Sequence, residues 1–228
     1  MRVYRVDAFG RPLETKFRYY AQLAWNKADE GALEVDNFAG RPYPRKWRSL
    51  KLFFQEPLWP RADFYYLRNG IFVCSGRAKN LLLNLMKSFG EFLPVSIEGE
   101  KETHYIYNVT NCCDLVDPIK SIWECEVDEP EEVKNPTTAI LEDPAFVPGK
   151  LEGNWIFRIP KRSQIYCFES DKISGGGQFK RTVEEHKLVG LRFELAWDKK
   201  GPKPEEAPPT KGEDFVWMTG DGKKYKSK

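Results

Sequence analysis

Histidine is scarce in this chain, with two among 228 residues, and only three methionines accompany it. Neither His104 nor His186 belongs to an HxxxH or CxxC pair, the spacings that normally complete a zinc shell. The five cysteines are odd in number and irregularly spaced, which reads as reduced thiols and not a disulfide framework. No apolar stretch is long enough to span a bilayer. The opening "MRVYRVDAFGRPLE" also lacks the unbroken apolar core of a secretory signal, so the cytoplasm is the expected compartment and a membrane is not an expected partner. Net charge is only +2, from 36 basic and 34 acidic side chains, so no global field points to nucleic acid or to an anionic membrane.

Aromatic residues, by contrast, are plentiful. They make up 14% of the chain, seven of them Trp and ten Tyr, within a hydrophobic share of 41%. That much apolar surface can offset chain entropy, and 228 residues can bury a proper core.

Residues 1–75 read as strands and irregular loops. "RVYRVDAF" alternates, with Val3, Arg5 and Asp7 on one side and Tyr4, Val6 and Ala8 on the other. Four prolines in the 25 residues from Gly40 to Phe64 exclude a long helix there. Asn69-Gly70 forms a turn before an apolar strand, "IFVC". The clearest helix follows: Ser75 can cap it, and Ala78, Leu82, Leu85, Met86 and Phe89 form one apolar stripe, with Gly90 placed to end it in a left-handed cap. The strands "EFLPVSI" and "HYIYNV" come next. A second copy of the plan appears later, "IYCFE…KLVGLRFEL" against "IFVCS…KSFGEFLPV", which predicts two similar strand–helix–strand packing units. Beyond Trp197 the composition turns Pro-, Lys- and Glu-rich, a linker by composition, after which "FVWM" can dock back as a short strand ahead of a basic tail.

The segment "HYIYNVTNCCD", residues 104–114, carries several chemical letters, but its spacing opposes a site. In an extended chain His104 and Cys112 stand roughly 26 Å apart, too far to share an ion. A bridge between Cys112 and Cys113 would be strained, because adjacent Cα atoms are about 3.8 Å apart. A nucleophilic cysteine at either position needs a base; His186 alone is available, and it is expected to be a half-buried packing residue near a helix C-terminus. The sequon Asn108-Val109-Thr110 needs a secretory route. "SGGGQFKR" lacks the phosphate-loop spacing, and Asp117-Pro118 reads as an ordinary helix start. No catalytic constellation, cofactor site or metal site is expected, so the chain reads as a non-enzyme.

Two charge runs remain. Glu124, Glu126, Asp128, Glu129, Glu131 and Glu132 place six carboxylates in nine residues, a candidate docking surface for a basic protein. Arg41, Arg45, Lys46, Trp47 and Arg48 interleave basic and aromatic groups, which makes a nucleic-acid module the alternative reading; acids at Glu34, Asp36 and Glu56 dilute its field. A Cys-dependent enzyme using Cys112 or Cys113 is the remaining rival.

Taken in order, "FVCSGRAKNLLLNL…GEFLPV", "YIYNVTNCCDLVD" and "IFRIP…IYCF…FKRTVEEHKLVGLRFEL" resemble the eleventh numbered family of bacterial polymorphic-toxin immunity proteins, over about residues 66–196. The resemblance implies a protein that neutralises a cognate toxin by direct stoichiometric binding, with the toxin domain as its partner. It brings no catalytic residues. The expected fold is α+β: a mixed, mostly antiparallel sheet, two main helices and a strand-rich N-terminal region. One domain is expected over residues 1–198, with a linker and tail at 199–228.

Overall fold

The computed structural model describes residues 1–8, 22–55, 61–68, 70–126, 140–171, 178–200 and 215–219. In chain order the strands and helices are β1 (Arg2–Ala8), β2 (Leu23–Trp25), β3 (Leu50–Phe54), β4 (Phe64–Arg68), β5 (Ile71–Cys74), α1 (Gly76–Met86), β6 (Gly90–Ile97), β7 (His104–Val109), β8 (Ile122–Glu126) and β9 (Ile140–Asp143). They continue with the single turn α2 (Pro148–Leu151), β10 (Ile156–Arg158), β11 (Ile165–Glu169), α3 (Phe179–Glu185), β12 (Leu191–Asp198) and β13 (Phe215–Thr219). Two 3-10 helices, Lys27–Ala32 and Val35–Phe38, follow β2. The strands form three sheets, ordered β10-β11-β1-β12, β2-β3-β6-β7-β5-β4 and β13-β8-β9. Among the described strands only β3 and β6 pair in parallel, with one further parallel bridge between Cys112 and Arg158. The fold is α+β and mostly antiparallel, and the short strand expected at "FVWM" pairs with β8.

The two strand–helix–strand units share one topology. In the first, β5 and β6 flank β7; in the second, β11 and β12 flank β1. Each is a split βαβ unit, with an antiparallel strand inserted between two parallel ones. The helices of both units meet in one core, where Ala78, Leu82 and Met86 of α1 join Phe179 and Val183 of α3. Even the lysines correspond. Lys79 lies over Tyr105 of the inserted strand (3.9 Å) and Phe92 of the return strand (5.9 Å), while Lys180 lies over Tyr4 (4.9 Å) and Phe193 (5.9 Å). The alternation expected in β1 holds, since Val3 faces one apolar cluster and Tyr4 and Val6 the other.

Helix ends follow local chemistry. Ser75 Oγ accepts from Ala78 N at 3.1 Å, the expected cap of α1. Gly90, however, does not end that helix. It opens β6, where a Cβ would stand 2.3 Å from Asn108 O and 2.7 Å from the Tyr107 ring, so close strand contact, not a left-handed cap, selects glycine. At α3 the left-handed position falls on Lys187, with φ of 50°. Leu188 N donates to Val183 O (2.9 Å) and Lys187 N to Glu184 O (3.1 Å), the two bonds of a Schellman motif. A lysine there carries a Cβ clash that glycine avoids. Lys187→Gly is therefore expected to stabilise the protein by roughly 0.5–1 kcal/mol after glycine's larger chain entropy is deducted, and thermal unfolding would record the gain.

Two expectations need correction for the same reason, that regular helix stops early. His186 is exposed and not half-buried, because α3 ends at Glu185 and Leu188 turns into the core instead. Asp117-Pro118 starts a single turn: Asp117 Oδ1 accepts from Ile119 N (3.1 Å) and Lys120 N (3.3 Å), after which the chain enters β8.

Asp63 joins the two units. Its carboxylate accepts two bonds from Arg77 Nη1 (2.9 and 3.1 Å), one from Ser75 Oγ (3.2 Å) and one from Val189 N (3.1 Å). Arg77 reaches on to His186 O at 2.8 Å. The start of α1 and the end of α3 are thus held by one buried acid.

Candidate interaction site

The chemical letters of residues 104–114 belong to the scaffold. Tyr105, Tyr107 and Val109 face the helices, and Tyr107 O–H donates to Met86 O (2.9 Å). His104, on the other face, is buried with its ring 5.9 Å from Tyr65. Asn108 is fully buried and its amide donates to Arg41 O and Glu91 Oε1, both at 2.9 Å, so it is no acceptor for sugar in the folded chain. Cys113 Sγ donates to Asn111 Oδ1 (3.0 Å), and its second contact is Asn154 Oδ1 (3.6 Å); neither can act as a base. Burial pushes the Cys112 and Cys113 thiols up, Cys112 further through its neighbour Cys113, which opposes an activated thiolate.

The basic-aromatic stretch is a lid. Trp47 Nε1 donates to Pro94 O (2.8 Å), its ring meets Tyr43 edge-on at 4.9 Å, and both cover the cluster of Leu33, Phe38, Leu50 and Leu52 on the outer face of the six-stranded sheet. Arg48 pairs with Asp29 (2.5 Å) and Arg41 donates to Asp36 O (3.4 Å). Arg45 and Lys46 are exposed. The aromatic groups that could have stacked on bases are occupied in packing, which opposes the nucleic-acid reading.

Of the acidic run, Glu124 and Glu126 lie on β8, in register with Trp217 and Phe215 of β13. Asp128, Glu129, Glu131 and Glu132 lie outside the described residues.

A feature that sequence reasoning missed lies where the two large sheets meet. Arg158, at the end of β10, is 1% exposed. Its Nη1 donates to Ser163 O (2.6 Å) and its Nη2 to Gly70 O, while its Nε has no partner among the described residues. No carboxylate lies within ion-pair distance of it among the described residues. Burial lowers its pKa to about 10. Gly70 has φ of 68°, and a Cβ there would stand 1.9 Å from Ser163 O, so the β4–β5 turn can approach only as glycine. Above this contact opens a cleft of about 190 Å³ lined by Arg5, Asp7, Tyr66, Arg68, Ser163 and Gln164 among others. The one signal in the sequence was an arginine inside an otherwise apolar strand, "WIFRI".

No helix among the described residues is long and apolar enough to cross a membrane. Among curated proteins, none matches the chain. The Immunity protein family (Imm11) matches residues 17–198, well over half of the chain, and with the toxin-immunity motifs now placed on its scaffold strands the protein belongs to that family.

Proposed function

We propose that this immunity protein neutralises its cognate toxin by direct, stoichiometric binding without turnover. The observation that carries the reading is the family match, which covers the whole first split βαβ unit and β11, α3 and β12 of the second, and implies a toxin as partner. The chemistry of the described residues agrees with it: the hydrogen-bond partners of Cys113 are the amide oxygens of Asn111 and Asn154, not bases, and Tyr43 and Trp47 serve packing. An inhibitor needs a surface, and tight interfaces rest on a few anchors inside a polar rim.

The acidic residues Glu124, Glu126, Asp128, Glu129, Glu131 and Glu132 are proposed to steer a basic toxin. The test uses the cognate toxin domain, with calorimetry for stoichiometry and growth protection for function. One-to-one binding together with protection is expected, and protection without a complex would remove the binding mechanism. Reversing the charge of the acidic run is expected to slow association by about ten-fold or more at low salt, with the difference shrinking as salt rises. An unchanged association rate would remove the run from the interface.

A further inference from the structure

The two edges of the four-stranded sheet differ. At one edge β10 is only three residues long, and Cys112 bridges it from outside through Arg158. At the other edge β12 runs for eight residues, and among the described strands it pairs only with β1. None of those eight residues is buried, whereas four of the five in the inner strand β11 are. A long edge presents a row of backbone donors and acceptors to a further strand.

Side chains decide which strand fits. Leu191, Phe193 and Leu195 stand opposite Ala8, Val6 and Tyr4 on the face that α3 covers, where Phe193 meets Phe179 at 6.0 Å. Leu195 is nevertheless 37% exposed. Arg192 and Glu194 occupy the other face, 3.1 Å from each other, with Asp7 and Arg5 opposite them on β1. The stretch has definite ends. It begins after Gly190 and stops at a bulge, since Tyr4 pairs with Leu195 and Val3 with Trp197, which leaves Ala196 as the extra residue.

Between these ends "LRFEL" is complementary to its own reverse, with Phe193 at the centre. A second copy laid antiparallel about a two-fold axis at Phe193 sets Leu191 opposite Leu195, Arg192 opposite Glu194, and Phe193 opposite itself. Both charged pairs are then attractive and the apolar residues form one row on the helix face. A partner strand lacking this order sets a like charge or an apolar group opposite Arg192 or Glu194, which loses that gain.

We infer that residues 191–195 of β12 are a self-association surface, joining two copies of this chain edge to edge into one continuous sheet of twice four strands. The inference goes beyond the immunity reading and does not depend on it. Five residues from each copy make a small interface, so the dimer is concentration-dependent.

Sedimentation of the full chain from micromolar to millimolar concentration is expected to carry the mass from 26.5 kDa toward twice that value. Arg192→Glu and Glu194→Arg each turn two attractive pairs into two repulsive ones, by symmetry, and each is expected to weaken association at least about ten-fold. An equimolar mixture of the two variants rebuilds both attractive pairs in a heterodimer, and the double variant R192E/E194R rebuilds them in a homodimer. Both are expected to recover to within about three-fold of the unaltered chain. A second measurement keeps the native charges. Chains carrying Leu191→Cys and Leu195→Cys are expected to form a disulfide between these positions when mixed under mild oxidation, and neither position with its own copy, because directly opposite Cα atoms stand about 4.5–5.5 Å apart. A mass of 26.5 kDa at every concentration, or a mixture that associates no better than the single variants, would overturn the inference. So would an unaltered chain that stays monomeric while Arg192→Glu weakens toxin binding, since β12 would then face the toxin and not a second copy.

Discussion

Arg158→Ala is expected to destabilise the protein by roughly 3–5 kcal/mol, a fall in Tm of about 6–20 °C for a chain of this size. The guanidinium donates to Ser163 O (2.6 Å) and to Gly70 O, and so ties the strand end of one sheet to the hairpin turn of the other. Alanine would leave both carbonyls short of a donor and open a void where 1% exposure admits little water. The native arrangement has its own cost. A pKa lowered from 12.5 to about 10 corresponds to roughly 3 kcal/mol of desolvation carried by the charged form. Arg158→Met removes that penalty and keeps much of the stem's packing, so its cost is expected to stay near 1–2 kcal/mol. Lysine is not expected to restore stability, because one ammonium cannot reproduce the fork that spans two carbonyls. Calorimetric melting of the three variants orders them. If methionine proved as damaging as alanine, hydrogen bonding and not volume would dominate, and if alanine shifted Tm by less than about 2 °C the bridge would carry no weight.

How much of this was legible in the sequence depends on the range of the interactions. Ser75 and the stripe through Ala78, Leu82 and Met86 could be read because capping and helical periodicity act within one or two turns. The two strand–helix–strand units were legible for the same reason. That β1 is inserted into the second unit was not, since Val6 pairs with Ile165 and Phe193, far along the chain. Gly90 misled because a glycine shortly after a helix looks like a cap, whereas its selection comes from the Tyr107 ring and Asn108 carbonyl opposite. Lys187 shows the converse: the left-handed turn is there, occupied by a residue that does not advertise it. The cleft was the least legible feature. It is assembled from β1, the β4–β5 hairpin and the residues entering β11, and none of these is unusual alone.

The motifs through which the chain resembles its family turn out to be structural. Tyr107 holds the end of α1, Asn108 ties β7 to Arg41 and Glu91, and Gly90 lets β6 approach β7. Tyr107 and Asn108 are buried and cannot meet a toxin directly. A family that shares such a scaffold must discriminate partners through other residues, which is the role proposed above for the acidic run.

Raising the pH is expected to unfold the protein cooperatively near pH 11. Cys74 and Cys167 are fully buried in the helix core, and burial raises both thiols from 9.0, Cys74 to about 12. Burial likewise raises Tyr166 from 10.0 to about 12, and Tyr107 well above its ordinary range. Each group is neutral when protonated. The unfolded chain therefore loses protons first, and stability that is fully present below the unfolded pKa is lost as pH rises toward the folded one. The two thiols act from about pH 9 and the two phenols from about pH 10, each at about 1.4 kcal/mol per pH unit. Arg158 opposes them. Its folded pKa is depressed, so between about 10 and 12.5 the unfolded chain holds more protons and stability rises by the same amount per unit. Four groups against one leave a net loss of about 4 kcal/mol per pH unit above pH 10, after about 3 kcal/mol already lost to the thiols. That exhausts an ordinary stability of 5–15 kcal/mol within about 0.5–3 units above pH 10. Tyrosinate absorbance and near-ultraviolet circular dichroism should change together in one steep step. The double variant Cys74→Ala/Cys167→Ala should lose much less between pH 9 and 10, where the partly buried Cys112 and Cys113 thiols still act. Gradual phenol ionisation around pH 10 with the dichroism intact would mean that Tyr107 and Tyr166 reach solvent in the folded protein, and would sink the burial argument.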